Sequence, residues 1–169
     1  MEHLYSPWRT DYVTTKKEDK IEGCVFCHIV ENLGKDEDLG VLYREEDFFV
    51  VMNKYPYAPA HFMIIPNLHT DKLEDLDPEI WARMTKFAQK GVLLLKDVVN
   101  AHGVNIGMNL GKAGGAGIAE HIHLHLVPRW MGDTNFITSI GDTRIYSTEF
   151  KNIFKRLKEE APKYFQDIK

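Results

Sequence analysis

Between residues 39 and 66 the apolar positions fall in short blocks, Val41-Leu42-Tyr43, Phe48-Phe49-Val50-Val51-Met52 and Phe62-Met63-Ile64-Ile65, separated by Glu45-Glu46-Asp47 and by Tyr55-Pro56-Tyr57-Ala58-Pro59. Blocks of this length, bounded by charged or proline-rich turns, predict antiparallel strands and hairpins. The period then changes. Asp77-Pro78-Glu79 has the chemistry of a helix start: an N-cap carboxylate, then proline at the first helical position, then an acidic residue in the first turn. Ile80, Met84, Phe87, Ala88, Val92, Leu95 and Val99 recur at spacings of three and four, predicting one long helix with a single buried face that runs until His102-Gly103 stops it. Strands are expected again from Val104 to Leu110 and from Glu120 to Arg129. A second helix is expected from about Ser147 to Lys163, with Phe150, Phe154 and Leu157 on one side, Pro162 fraying its end, and the helical region closing by residue 168. Strands, helix, strands, helix do not alternate as a doubly wound sheet requires. The order predicts an α+β fold with a mostly antiparallel sheet, one long helix and a C-terminal helix.

At 169 residues the chain is of single-domain size and long enough to bury a core without disulfide support. One domain over 1–169 is expected, with residues 1–20, which include Lys16-Lys17-Glu18-Asp19-Lys20, as a solvated N-terminal extension. The longest apolar run, Gly91-Val92-Leu93-Leu94-Leu95, is far too short to span a bilayer. Met1-Glu2-His3-Leu4-Tyr5 has neither the basic flank nor the apolar stretch of a secretory signal, so a cytosolic location is expected. The formal charge of −4, without a basic stripe, argues against a nucleic-acid polymer as partner. A small anion remains open, held by backbone N–H groups and a few side chains.

From Glu120 to Val127 the chain reads Glu-His-Ile-His-Leu-His-Leu-Val. That alternation puts His121, His123 and His125 on one face of a strand and Ile122, Leu124 and Leu126 toward the core. Neighbouring histidines on such a face lie roughly 7 Å apart, so this strand alone cannot supply three ligands to one ion. A polar surface strand and a His-x-His zinc site of hydrolytic type are the competing readings. Upstream, Asn109-Leu110-Gly111-Lys112-Ala113-Gly114-Gly115-Ala116-Gly117 is a loop rich enough in glycine to bring backbone N–H groups up to phosphate oxygens. It matches neither the P-loop nor the dinucleotide fingerprint. The two cysteines, Cys24 and Cys27, are spaced C-x-x-C, which in a reducing compartment suits half of a metal site or a redox pair; two small buried hydrophobes are the plainer reading.

His121-Ile122-His123-Leu124-His125-Leu126-Val127 resembles the His-φ-His-φ-His-φ-φ signature of the histidine-triad family. Pro59-Ala60-His61-Phe62-Met63-Ile64-Ile65-Pro66 resembles that family's strand bearing its fourth histidine, and Val51-Met52-Asn53 its ribose-contacting region. The resemblance implies a nucleotide-processing enzyme in which His123 attacks the α-phosphorus to form a nucleotidyl-histidine. It further implies that His125 and His61 bind phosphate oxygens or assist the leaving group, and that Asn53, Asn109, Gly115 and Gly117 hold the nucleotide. The chemistry agrees: a neutral imidazole is a competent nucleophile when its other nitrogen is protonated and held.

In zinc-bearing relatives a C-x-x-C pair joins a histidine at the position resembling His69 and the first triad histidine. That implies one structural zinc on Cys24, Cys27, His69 and His121, with His28 as a competing ligand strained by its adjacency to Cys27. Pro7-Trp8-Arg9 with Tyr12, and Val127-Pro128-Arg129-Trp130-Met131-Gly132-Asp133-Thr134-Asn135-Phe136, resemble the branch containing diadenosine tetraphosphate phosphorylases and dinucleoside polyphosphate hydrolases. Trp8 and Trp130 serve equally well as core or interface aromatics. Cleavage of dinucleoside polyphosphates is therefore the expected activity, with a nucleoside phosphoramidase or a slow nucleotide-binding regulator as alternatives. A homodimer is implied too, through the helix beginning near Pro78 and its adjacent strand.

Overall fold

The computed structural model describes residues 21–141, 148–166 and 168; Trp8 and the N-terminal stretch that resembled a subgroup lie outside them. Among these residues five antiparallel strands form one sheet in the order β1-β2-β3-β5-β4: β1 (Val41–Arg44), β2 (Phe48–Met52), β3 (Phe62–Pro66), β4 (Gly103–Gly107) and β5 (Leu124–Arg129). The α+β architecture expected from the sequence is the one observed.

Strands β2 and β3 are buried at every position, which explains why they read as unbroken apolar runs. Phe48, Val50, Met52, Phe62 and Ile64 face a large core with the helices α3 (Pro78–Val99) and α5 (Phe150–Phe165), while Phe49, Val51, Met63 and Ile65 face a smaller one with Phe26. The smaller core is closed by α1 (Val25–Glu31), a helix the hydrophobic pattern does not announce. Helices α2 (Asp36–Leu39) and α4 (Phe136–Gly141) and a 3₁₀ turn at Leu73–Asp75 are likewise absent from the sequence reading, being too short to show a period.

Asp77 caps α3, its carboxylate accepting the Glu79 N–H at 2.8 Å, and Pro78 is the first helical residue as expected. The stop comes earlier than His102-Gly103: Asn100 takes a left-handed conformation at φ 53°, a position Asn tolerates because its short side chain bonds locally. Gly103 instead opens β4, and β4 ends at Gly107 rather than Leu110. The buried face also differs in detail. Gly91, Leu94 and Val98 are buried, whereas Ile80, Val92 and Val99 are half-buried. Gly91 lies where the helix meets the sheet most closely: a Cβ there would come within 2.8 Å of Leu126 Cδ2 and 2.9 Å of Phe62 Cζ.

Helix α5 begins at Phe150, and Pro162 sits inside it without fraying, since Ala161 and Phe165 on either side are fully buried. Salt bridges from Asp36 to Arg44 and Lys158 link α2, β1 and α5. No helix among the described residues is long and apolar enough to cross a membrane.

Candidate functional site

Register explains how histidines far apart in sequence meet. On β5, Ile122, Leu124 and Leu126 enter the large core as the alternation predicts. His125 lies opposite Met63 of β3, so His61, two residues before Met63, is its diagonal neighbour on the same face, a distance that imidazole rings bridge. His61 Nε2 and His125 Nδ1 are 2.9 Å apart. The strand is shorter than Glu120–Arg129, starting at Leu124. Before it, the Ile122 N–H is taken by the Thr70 carbonyl (2.8 Å) and His121 Nε2 by the Pro66 carbonyl (2.9 Å), so this stretch runs extended outside the β-ladder.

The histidine face is not a solvated one. His61 and His121 are fully buried, and His123 and His125 are 6% and 7% exposed. Phe26 of α1 covers them, with its ring 5.4 Å from those of both His121 and His123. The rings converge more than the backbone spacing requires, since His123 and His125 are 4.8 Å apart between centroids.

Hydrogen bonds settle which nitrogens carry protons. His123 Nδ1 is 2.8 Å from the His121 carbonyl; a carbonyl only accepts, so Nδ1 is protonated and Nε2 keeps its lone pair. His61 Nδ1 receives the Tyr57 N–H at 3.1 Å. It also faces Asn53 Nδ2 at 3.3 Å, and the Asn53 carboxamide is oriented by Oδ1 accepting the Tyr55 N–H at 2.9 Å. With Nδ1 an acceptor, His61 carries its proton on Nε2 and donates it to His125 Nδ1. His125 then carries its own proton on Nε2, the one buried side-chain nitrogen or oxygen without a partner among the described residues. Burial first, then the charges of His125 and His123, hold His61 down at about 3; burial, then His123, hold His125 down at about 4. Both rings are neutral near pH 7.

The glycine-rich loop contributes less than its sequence suggests. Gly115 N–H donates to the Lys112 carbonyl at 3.1 Å and Ala116 N–H to Gly111 at 3.2 Å, closing a tight turn. Gly114 is required there, because a Cβ would lie 2.4 Å from the Leu110 carbonyl oxygen. Gly117 is exposed and Asn109 half-buried. Trp130 is half-buried and packs against the large core, its Nε1–H donating to the Val99 carbonyl at 3.2 Å.

A second cluster adjoins the first. Sulfur and nitrogen ligand atoms of Cys24, Cys27, His69 and His121 all lie within 4.8 Å of one another. Individual separations are 3.4 Å for Cys24 Sγ–His121 Nδ1, 3.2 Å for Cys27 Sγ–His69 Nδ1 and 3.8 Å for Cys27 Sγ–His121 Nδ1. Metal–sulfur and metal–nitrogen bonds of about 2.3 and 2.0 Å in a tetrahedron set ligands roughly 3.3–3.8 Å apart, so the donor set fits zinc. Electrostatics agree: burial, then the neighbouring Cys24, push the Cys27 thiol up, a repulsion that a divalent cation relieves. His121 donates Nε2–H to Pro66, which leaves Nδ1 as the ligand atom. His28 is outside the cluster, its ring facing Asn32.

Sequence reasoning missed Phe26 and Tyr57. Phe26 had a signal, being an aromatic enclosed between the two cysteines. Tyr57 acts through its main chain, which no side-chain pattern reports.

Comparison with known proteins follows the same lines. A family model described as HIT domain matches residues 35–131, more than half of the chain. A protein of Mycobacterium tuberculosis named AP-4-A phosphorylase is 37% identical over 150 residues, covering 86% of this chain and 76% of its own. The crystal structure of a zinc-bound histidine triad family protein from Mycobacterium smegmatis superposes with a TM-score of 0.68 at 30% identity, covering 83% of this chain and 94% of that one. A hypothetical histidine triad nucleotide-binding protein from Sulfolobus tokodaii gives a TM-score of 0.63 at 26% identity over 86% of this chain and 99% of its own.

Proposed function

Because the chain belongs to the histidine-triad (HIT) family, we propose that it cleaves dinucleoside polyphosphates at the α-phosphorus through a nucleotidyl intermediate on His123. The observation that carries this reading is the His123 Nδ1–H bond to the His121 carbonyl, which leaves Nε2 a lone-pair nucleophile beside the unpartnered Nε2–H of His125. The 37% identical AP-4-A phosphorylase supports the substrate class.

His123 Nε2 attacks phosphorus, the P–O bond to the polyphosphate breaks, and its electron pair departs on oxygen. His125 Nε2–H donates to the phosphate oxygens as charge develops there, a preorganised donor that needs no reorientation. His61 holds His125 in the tautomer that can do this. A phosphate or water oxygen then displaces Nε2 from phosphorus, the electron pair returns to the ring, and a proton carried by an attacking water is released to solvent. Asn53, Asn109, Gly115 and Gly117 are assigned to the nucleotide; with the Gly115 N–H already spent, the Gly117 N–H is the stronger candidate for phosphate.

Zinc held by Cys24, Cys27, His69 and His121 would be structural, since four protein ligands leave no open position for substrate. Such an ion supplies folding energy and fixes His121. The chain is read as one domain, working in a reducing cytosol where both thiols stay available. We further read it as a homodimer joined through α3 and β4. In support, β4 is an edge strand of the sheet among the described residues, and Ile106 and Leu93 are exposed on these elements at 49% and 46%.

Rapid-quench labelling with diadenosine tetraphosphate tests the reading. An acid-labile, alkali-stable nucleotidyl adduct on His123 is expected, and His123→Ala should lose roughly 10⁴-fold or more in kcat with little change in affinity. An adduct on another residue, or a tenth of the activity surviving in the variant, would overturn it. ADP appearing only when inorganic phosphate is present identifies phosphate, rather than water, as the acceptor.

A further inference from the structure

Two donors converge on one nitrogen of His61, and their effect reaches the reaction. The Tyr57 main-chain N–H and the Asn53 carboxamide both point at Nδ1, at 3.1 and 3.3 Å. Asn53 has no freedom to reverse, because its Oδ1 is held by the Tyr55 N–H. The loop Asn53–His61 is braced at its ends by Asn53 N–H to the His61 carbonyl (2.9 Å) and His61 N–H to the Ala58 carbonyl (3.1 Å). Ala60, inside this loop, has φ 64°, a left-handed conformation that is unfavourable for an alanine and persists only where surroundings impose it. The Tyr57 ring also lies over both imidazoles, at 4.8 Å from His61 and 5.7 Å from His125.

We propose that Asn53 and the Tyr57 N–H are positioning groups that make the His61–His125 pair a hydrogen-bond donor and not a proton source, restricting the enzyme to leaving groups that depart as anions. This deepens the reading above and rests on it. The reason is proton balance. If His125 released its Nε2 proton to a leaving group and took the Nε2 proton of His61 at Nδ1, His61 would be left as an imidazolate, with two N–H donors on one side and no proton to replace the one lost. That state is inaccessible in a buried site. A phosphate chain departs as a stable anion and asks only for hydrogen bonds. An amine, as in a nucleoside phosphoramidate, needs a full proton, which the pair does not supply. The structure therefore favours the P–O–P class and disfavours the P–N class.

Asn53→Asp tests this without changing side-chain shape. The new carboxylate would accept from His61 Nδ1, favouring an imidazolium that carries protons on both nitrogens. His61 could then pass its Nε2 proton to His125 as His125 releases its own, and finish neutral with Nδ1–H. The ratio of kcat/KM for adenosine 5′-phosphoramidate to that for diadenosine tetraphosphate should rise at least about tenfold, a fraction of the 10²–10⁴-fold that a positioned acid contributes. Tyr57→Phe, which keeps the main-chain N–H, should hold the wild-type ratio. Nitrogen-15 spectra of the wild-type histidines give a readout independent of any variant, with His61 bare at Nδ1 and protonated at Nε2. A His61 protonated at Nδ1, or an unchanged ratio in a folded Asn53→Asp protein, overturns the proposal. Should the adduct on His123 still form in that case, the covalent mechanism stands and only the leaving-group inference falls.

Discussion

The main-chain oxygen of His121 accepts the Nδ1–H of His123 at 2.8 Å while the ring of the same His121 turns Nδ1 toward Cys24 Sγ at 3.4 Å. One residue thus borders both clusters, and its two ends are separated only by its own covalent frame. Whatever anchors the ring also anchors the carbonyl that orients the proposed nucleophile.

Loss of the metal should therefore be felt at His123. Purified protein is expected to hold about one equivalent of zinc, as a closed site with four protein ligands implies. Chelation, or Cys24→Ser, should lower Tm and slow formation of the nucleotidyl adduct together. Elemental analysis finding below about a tenth of an equivalent in carefully purified protein would defeat the assignment.

Stability should depend on pH through the buried pair. His61 and His125 sit near 3 and 4 in the folded chain because of burial and, after it, neighbouring imidazoles, against about 6.5 when unfolded. Between about 6.5 and 4 the unfolded chain binds protons that the folded one refuses, so stability rises with pH across that window and these groups add no slope above it. The slope is up to about 1.4 kcal/mol per pH unit for each histidine. Urea unfolding at pH 5, 6 and 7 measures it, and His61→Asn should remove about one proton's share. An identical slope in that variant would show that His61 is not the group responsible.

Gly91→Ala weighs two opposed effects. Helix propensity favours alanine by roughly 1 kcal/mol. The added methyl meets Leu126 Cδ2 and Phe62 Cζ below 3 Å, and both side chains are fully buried, an overpacking worth about 1–3 kcal/mol. Packing wins. Tm should fall by about 2–4 °C per net kcal/mol lost for a chain of this size; a rise in Tm would mean that α3 can move off the sheet at little cost.

The dimer proposal is tested at β4, the edge strand of the sheet among the described residues. Light scattering at micromolar concentration should give twice the chain mass, and Ile106→Lys, which puts a charge on exposed β4, should shift the population toward monomer. A wild-type monomer removes the proposal.

Much of the molecule was legible because its signals are local. Alternation from His121 to Leu126 gave the faces of that segment, the blocks from Val41 to Ile65 gave three strands, and Asp77-Pro78 gave the start of α3. The family resemblance carried by His121 to Val127, Pro59 to Pro66 and the C-x-x-C pair also pointed to the four histidines and to the four candidate sulfur and nitrogen donors, which tertiary structure brings into two adjoining clusters. What the sequence could not determine depends on atoms that belong to no pattern. The Asn100 stop arises from a left-handed backbone that glycine would have served equally well, and α1 is too short to be periodic. The protonation of His61 is decided by a main-chain N–H at Tyr57 and that of His123 by the His121 carbonyl. Every residue but proline carries that same pair of groups, so only the folded path of the chain selects which of them meets an imidazole.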